Sequence, residues 1–245
     1  MVDKVHIQTL LDRHFDVQGT THIQDDGSVN VEGSISLNKH PHVQELPVQF
    51  HEVTGHATFN RNKLRSLKGS PRIVGGDFNC SRNKLTTLVD GPEQVGAYYL
   101  CEHNQLTSLQ GTPDQPLEGM SCSWNQLTSL DHAPPECTRS FWCMGNNLTT
   151  LVNLPRVMSG YINCSGNPLK NLNGWDYVTH AEFIVTYSEH LPLLRCIQST
   201  KVVIKDPVPW QVQSILDKYV GQGKAGAIKC AVELVKAGYK RNAKW

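Results

Sequence analysis

The chain has no excess of one charge: 23 Lys and Arg stand against 22 Asp and Glu, a formal net charge of +1. Bulk electrostatics therefore argue neither for nor against nucleic acid. Long apolar runs are missing as well. The first residues, MVDKVHIQTLLDRHF, are interrupted by charge every few positions, unlike a secretory leader, and no later stretch is apolar over the length of a bilayer. The expectation is a cytoplasmic chain without membrane contact, whose eight cysteines are reduced thiols rather than disulfides. Catalytic constellations are also missing. No Ser/His/Asp arrangement, phosphate-cradling glycine loop or carboxylate pair stands out, so the chain is read as a non-enzyme with no cofactor and no metal.

One segment looks like an exception. In Phe50-His51-Glu52-Val53-Thr54-Gly55-His56 two histidines bracket a glutamate, as in a zinc protease. A protease helix needs its histidines four apart on one face, and these are five apart with a glycine between them.

What the chain does have is a period. Cys80, Cys101, Cys122, Cys143 and Cys164 are spaced 21 residues apart, as are Asn62, Asn83, Asn104, Asn125, Asn146 and Asn167. Leu64 and Leu67 head two further columns at the same step, and Pro71 a third. The pattern explains the histidines: His51 and Glu52 fall on the return limb of a unit, and His56 falls beside Asp77 of the next. A unit this short cannot bury its own apolar face, so neighbours must stack to do it.

The consensus resembles the leucine-rich repeat, whose core is L-x-x-L-x-L-x-x-N-x-L. Phe78, Cys80, Asn83 and Leu85 fall on its second and third leucines, its asparagine and its final leucine. The departures are an aromatic or Met at one leucine position, Cys at the next, and often a small residue at the first. The Cys-Ser-x-Asn-x-Leu-Thr-x-Leu flavour is most similar to repeats encoded in tailed-phage and bacterial genomes. The resemblance implies an α/β solenoid: a leucine-rich-repeat stack with a parallel β-sheet on its concave face and helical caps at both ends. It divides the chain into an N-terminal cap with a short helix (1–29), a solenoid of six clear repeats with degenerate end units (30–205), and a C-terminal helical cap (206–245). Helices are expected at roughly 3–14, 209–221 and 224–238, with Trp210, Val212, Ile215, Ile228, Val232 and Val235 among their apolar residues at helical spacing. Some bacterial effectors join such repeats to a ubiquitin-ligase domain whose nucleophilic Cys precedes an Asp by two residues. Neither Cys196-Ile197-Gln198 nor Cys230-Ala231-Val232 has that Asp.

Fold register then predicts a surface by subtraction. Phe78, Tyr99, Met120, Phe141, Ile162 and Phe183 point inward with the cysteine column as small core residues, so the alternate residues face out. The outward set includes Gly119, Ser121 and Ser123, and at its middle Tyr98, Leu100, Trp124, Trp142, Met144 and Tyr161. Arg61, Arg82, Glu102 and His103 form its polar rim. Trp and Tyr carry binding energy at protein interfaces, and an uncovered aromatic patch calls for an occupant. The expected partner is a protein, a host protein if the phage flavour holds, bound by a monomer or weak homo-oligomer. Two alternatives stand beside it: a self-assembling, virion-type component whose copies cover the patch, and nucleic-acid binding through Lys218, Lys224, Lys229, Lys236, Lys240, Arg241 and Lys244.

Overall fold

The computed structural model describes residues 2–37, 43–157, 159–175, 181–205 and 208–244. The inward column decides the architecture. Ala57, Phe78, Tyr99, Met120, Phe141, Ile162, Phe183 and Val202 are paired in sequence, each with the same position one coil later. All are buried, and ring contacts such as Phe78–Tyr99, with centroids 5.1 Å apart, run along the axis of the stack. The result is a parallel β-solenoid of about eight turns. Its rungs are β4 (Ala57–Thr58), β6 (Phe78–Asn79), β8 (Tyr98–Leu100), β9 (Leu117–Ser121), β10 (Glu136–Trp142), β12 (Tyr161–Asn163), β13 (Glu182–Thr186) and β14 (Lys201–Lys205).

Each turn carries more strand than the repeat pattern suggests. A second parallel ladder runs through β3 (Phe50–Val53), β5 (Ile73–Val74) and β7 (Gln94–Val95), with Val53 on Val74 and Val74 on Val95, and further along the stack Cys137 of β10 pairs with Val157 of β11 (Arg156–Val157). Thus His51 and Glu52 are strand residues and not part of a return limb. Strand β2 (Val29–Ser36) spans both ladders, pairing Val31 with Val53 and Ile35 with Ala57. Between the ladders the chain bends at glycine because coils touch backbone to backbone there. A Cβ on Gly96 would lie 2.0 Å from the Gly75 carbonyl oxygen, and one on Gly75 2.1 Å from that of Thr54.

The asparagine column ties coil to coil. Asn104 Nδ2 donates to the carbonyls of Cys80 (3.0 Å) and Cys101 (3.1 Å), while its Oδ1 accepts from the Leu85 N–H (3.0 Å). Asn83, Asn125, Asn146 and Asn167 repeat the arrangement. Asparagine suits the position because one short side chain supplies both donors and an acceptor to backbone groups that no strand partner reaches.

At the N-terminal side, α1 (Lys4–His14) starts on Asp3, which accepts from the His6 N–H. The helix is followed by β1 (Asp16–Ile23), which pairs antiparallel with β2. This hairpin was not expected, and it crosses the 29/30 boundary. Phe15, just after α1, packs its ring on Phe50 at 5.1 Å. At the other side, α2 (Trp210–Tyr219) buries Val212, Ile215 and Leu216, and α3 (Gly223–Lys236) buries Gly226, Ala227, Cys230 and Leu234. Part of the expected apolar packing is absent: Trp210 is 74% exposed, Ile228 63%, Val232 48% and Val235 43%. The small residues Gly226 and Ala227 face inward, and Ile228, about 100° further round the helix, is turned outward. Among the described residues, no helix is long and apolar enough to cross a membrane.

Candidate functional site

The turn that follows each rung builds the edge of the outward strip. Arg61, Arg82, His103 and Trp124 have φ of 55–56°, and Gly145 and Gly166, next in the same column, have φ of 65° and 70°. The left-handed conformation costs a residue with a Cβ about 1–2 kcal/mol, and glycine adopts it without that cost. Four positions of this column nevertheless carry long or aromatic side chains, all exposed. Their backbone N–H groups are committed: Arg61 donates to the carbonyl of Ser81, Arg82 to Glu102, His103 to Ser123 and Trp124 to Met144. The side chains are what remains to meet a ligand.

The aromatic part is ordered by contacts. His103 and Trp124 stack nearly parallel, 8° apart with ring centroids at 5.9 Å. The indole lies across Gly145, where a Cβ would sit 2.5 Å from Trp124 Cε3. Tyr98 and Trp142, two coils apart, meet at 6.1 Å. Tyr98 does so by leaning over Gly119, where a Cβ would come within 2.5 Å of the phenol ring. Trp124 is 50% exposed and Tyr161 48%, while Tyr98, Leu100, Glu102, Trp142 and Met144 are half-buried. Met144 Sδ accepts from Asn163 Nδ2 at 3.6 Å.

Six members of the outward set are corrected: Ser81, Ser140 and Ser165, expected on the outward face, are buried at 3%, 5% and 7% exposure, and three more follow them. Gly119, Ser121 and Ser123 lie on the outer side of the rungs but are buried, because they are small and flanked by large neighbours. The hydroxyl of Ser123, a residue only 4% exposed, and the Oε2 of Glu102 lack a hydrogen-bond partner. These two unmet polar groups sit in one column on adjacent coils, a feature that outward alternation alone does not reveal. Two further results concern the ends. Lys218 is paired with Glu233 at 2.9 Å, which reduces the free positive charge of the C-terminal helices. The exposed Trp210 and Ile228 were missed as surface candidates, since helical spacing assigned them to a core.

The cysteines form no reactive centre. All eight are free and buried. Burial pushes the thiols of Cys137, Cys143 and Cys230 up to about 12 and raises the other five as well. A thiolate nucleophile needs the opposite environment. His56 sits beside Asp77 as expected, its Nδ1 accepting from the Asp77 N–H at 2.9 Å. Among the described residues, no group of three His, Cys, Asp or Glu is placed to hold a metal ion. No protein-family model matches the chain, and no curated protein matches it in sequence.

Proposed function

We propose that this chain is a non-enzymatic protein-binding scaffold of the leucine-rich-repeat type, which receives a protein partner on the strip centred on Trp124 and Trp142. One observation carries the reading. An indole stays half exposed in a backbone conformation that favours glycine, at a position where the next two coils do have glycine. Large aromatic side chains in such settings are the anchors of protein interfaces. The buried cysteine, leucine and asparagine columns support the family assignment, and the helices at either side fit end caps that shield the open coils. The similarity to phage and bacterial repeats extends the proposal to a host protein met in a bacterial or infected cytoplasm.

The test is capture from bacterial lysate by wild type and by Trp124→Ala/Trp142→Ala, with the bound protein identified by mass spectrometry. The double variant should keep its far-UV circular dichroism and lose the partner by tenfold or more, about 1.4 kcal/mol or greater. Equal retention by a folded double variant contradicts the proposal. A second reading, self-assembly, is favoured by the exposed Trp210, Ile228, Val232 and Val235 on the C-terminal hairpin. It predicts a mass above the monomer in light scattering, lowered by Ile228→Glu.

A further inference from the structure

We infer that the occupant of the strip is an extended peptide segment with acidic residues at one end, over Arg61 and Arg82, and an apolar side chain at the other, over Trp124. The inference rests on the protein-binding reading above and specifies the partner's chemistry.

The strip is graded along the stack. Arg61, Arg82, His103 and Trp124 occupy the same position on four successive coils, so the character of one edge changes from cationic to aromatic in three steps. Coils separated by about 4.8 Å set that distance at about 14 Å, which an extended chain covers in about four residues. Among the described residues, the guanidinium groups of Arg61 and Arg82 have no ion pair or side-chain hydrogen bond. Elsewhere the sequence neutralises such a group from the next coil, as Glu93 does for Arg72 at 2.8 Å. The coil after Arg82 offers His103 at the equivalent position, and the two arginines are left with a demand for anions. Charge complementarity therefore points to carboxylates.

Glu102 also favours an acidic peptide over a nucleic acid. It is half-buried in the column next to Arg82 and His103, and its Oε2 is buried without a hydrogen-bond donor. A phosphodiester backbone carries charge along its whole length and would lie against this carboxylate. A peptide can place its acidic residues over Arg61 and Arg82 and pass Glu102 with uncharged ones.

The probe is a displayed library of random peptides, panned separately against wild type, Arg61→Glu/Arg82→Glu and Trp124→Ala/Trp142→Ala. All three proteins are first checked for an unchanged thermal melt. Wild type should enrich peptides in which acidic residues precede or follow a Trp, Phe or Leu by about four positions. Binding of those peptides should fall about tenfold or more in the charge-reversed variant, and should weaken as salt is raised. Peptides that depend on Trp124 and Trp142 but bind the charge-reversed variant as well as wild type overturn this inference and leave the protein-binding reading standing. Enrichment of basic peptides overturns it equally, as does tighter retention of a fluorescent single-stranded oligonucleotide than of any peptide. Failure of wild type to enrich any peptide, or enrichment indifferent to both variants, removes the inference together with the binding role of the strip.

Discussion

Asn104→Leu should lower the free energy of unfolding by about 3–5 kcal/mol. Asn104 is 9% exposed and makes three hydrogen bonds, to the carbonyls of Cys80 and Cys101 and from the Leu85 N–H. The losses are unequal. The Cys80 and Cys101 carbonyls keep a donor, because Asn83 and Asn125 also bond to them. The Leu85 N–H keeps none, and a buried orphan donor costs about 1–3 kcal/mol beyond the lost bonds. Leucine is of similar size, so the cost reports hydrogen bonding more than packing. Urea unfolding followed by circular dichroism measures it. Gln105→Ala, at the exposed next residue, serves as the control and should change stability by less than about 0.5 kcal/mol.

The second large effect is a collapse of stability in alkaline solution. An unfolded thiol titrates near pH 8.5, at about the value of a free cysteine. The folded thiols titrate far higher because burial opposes the thiolate, with Cys143 pushed up to about 12. The unfolded chain therefore releases protons first as pH rises. The stabilisation is complete below about pH 8.5 and is lost progressively above it, by up to about 1.4 kcal/mol per pH unit for each thiol. Eight buried thiols acting together remove roughly 11 kcal/mol per pH unit once the unfolded thiols have titrated, as much as a typical domain's whole stability. Unfolding is expected by about pH 10 in reducing buffer. Replacing Cys101 and Cys122 with Ala should make the pH dependence shallower by two protons, whatever it does to stability at neutral pH. A chain as stable at about pH 10.5 as at neutral pH would show that its thiols are not confined as described.

These effects rest on columns that could be read from the sequence, because a 21-residue period repeated in Cys, Asn and Leu fixes the inward face of every coil. The parts that could not be read have local causes. The second ladder consists in places of two-residue strands such as Ile73–Val74, too short to show alternation, and Gly75-Gly76 beside it reads as a loop. Strand β1 has a mostly polar sequence, DVQGTTHI, with no buried residue to give it a pattern. The burial of Gly119 and Ser123 depends on how Tyr98 and other neighbours lean, which is a property of side-chain conformation and not of period. The left-handed column did leave a signal in Gly145 and Gly166. With Arg, Arg, His and Trp in the preceding coils, that signal was easy to pass over. On the C-terminal helices the apolar residues cover too wide an arc for spacing alone to select the buried side, and Ile228 went to the wrong one.

Each coil hides its cysteine column and displays the column two residues later. Native-state alkylation with iodoacetamide, read by mass spectrometry of the digested protein, tests it directly in Arg82→Cys beside the native Cys80 and Cys101. The cysteine at position 82 should react at the rate of a free thiol, and Cys80 and Cys101 at least about a thousandfold more slowly until denaturant is added. Equal labelling of the three, or modification of Cys101 ahead of position 82, would contradict the register and with it the binding strip.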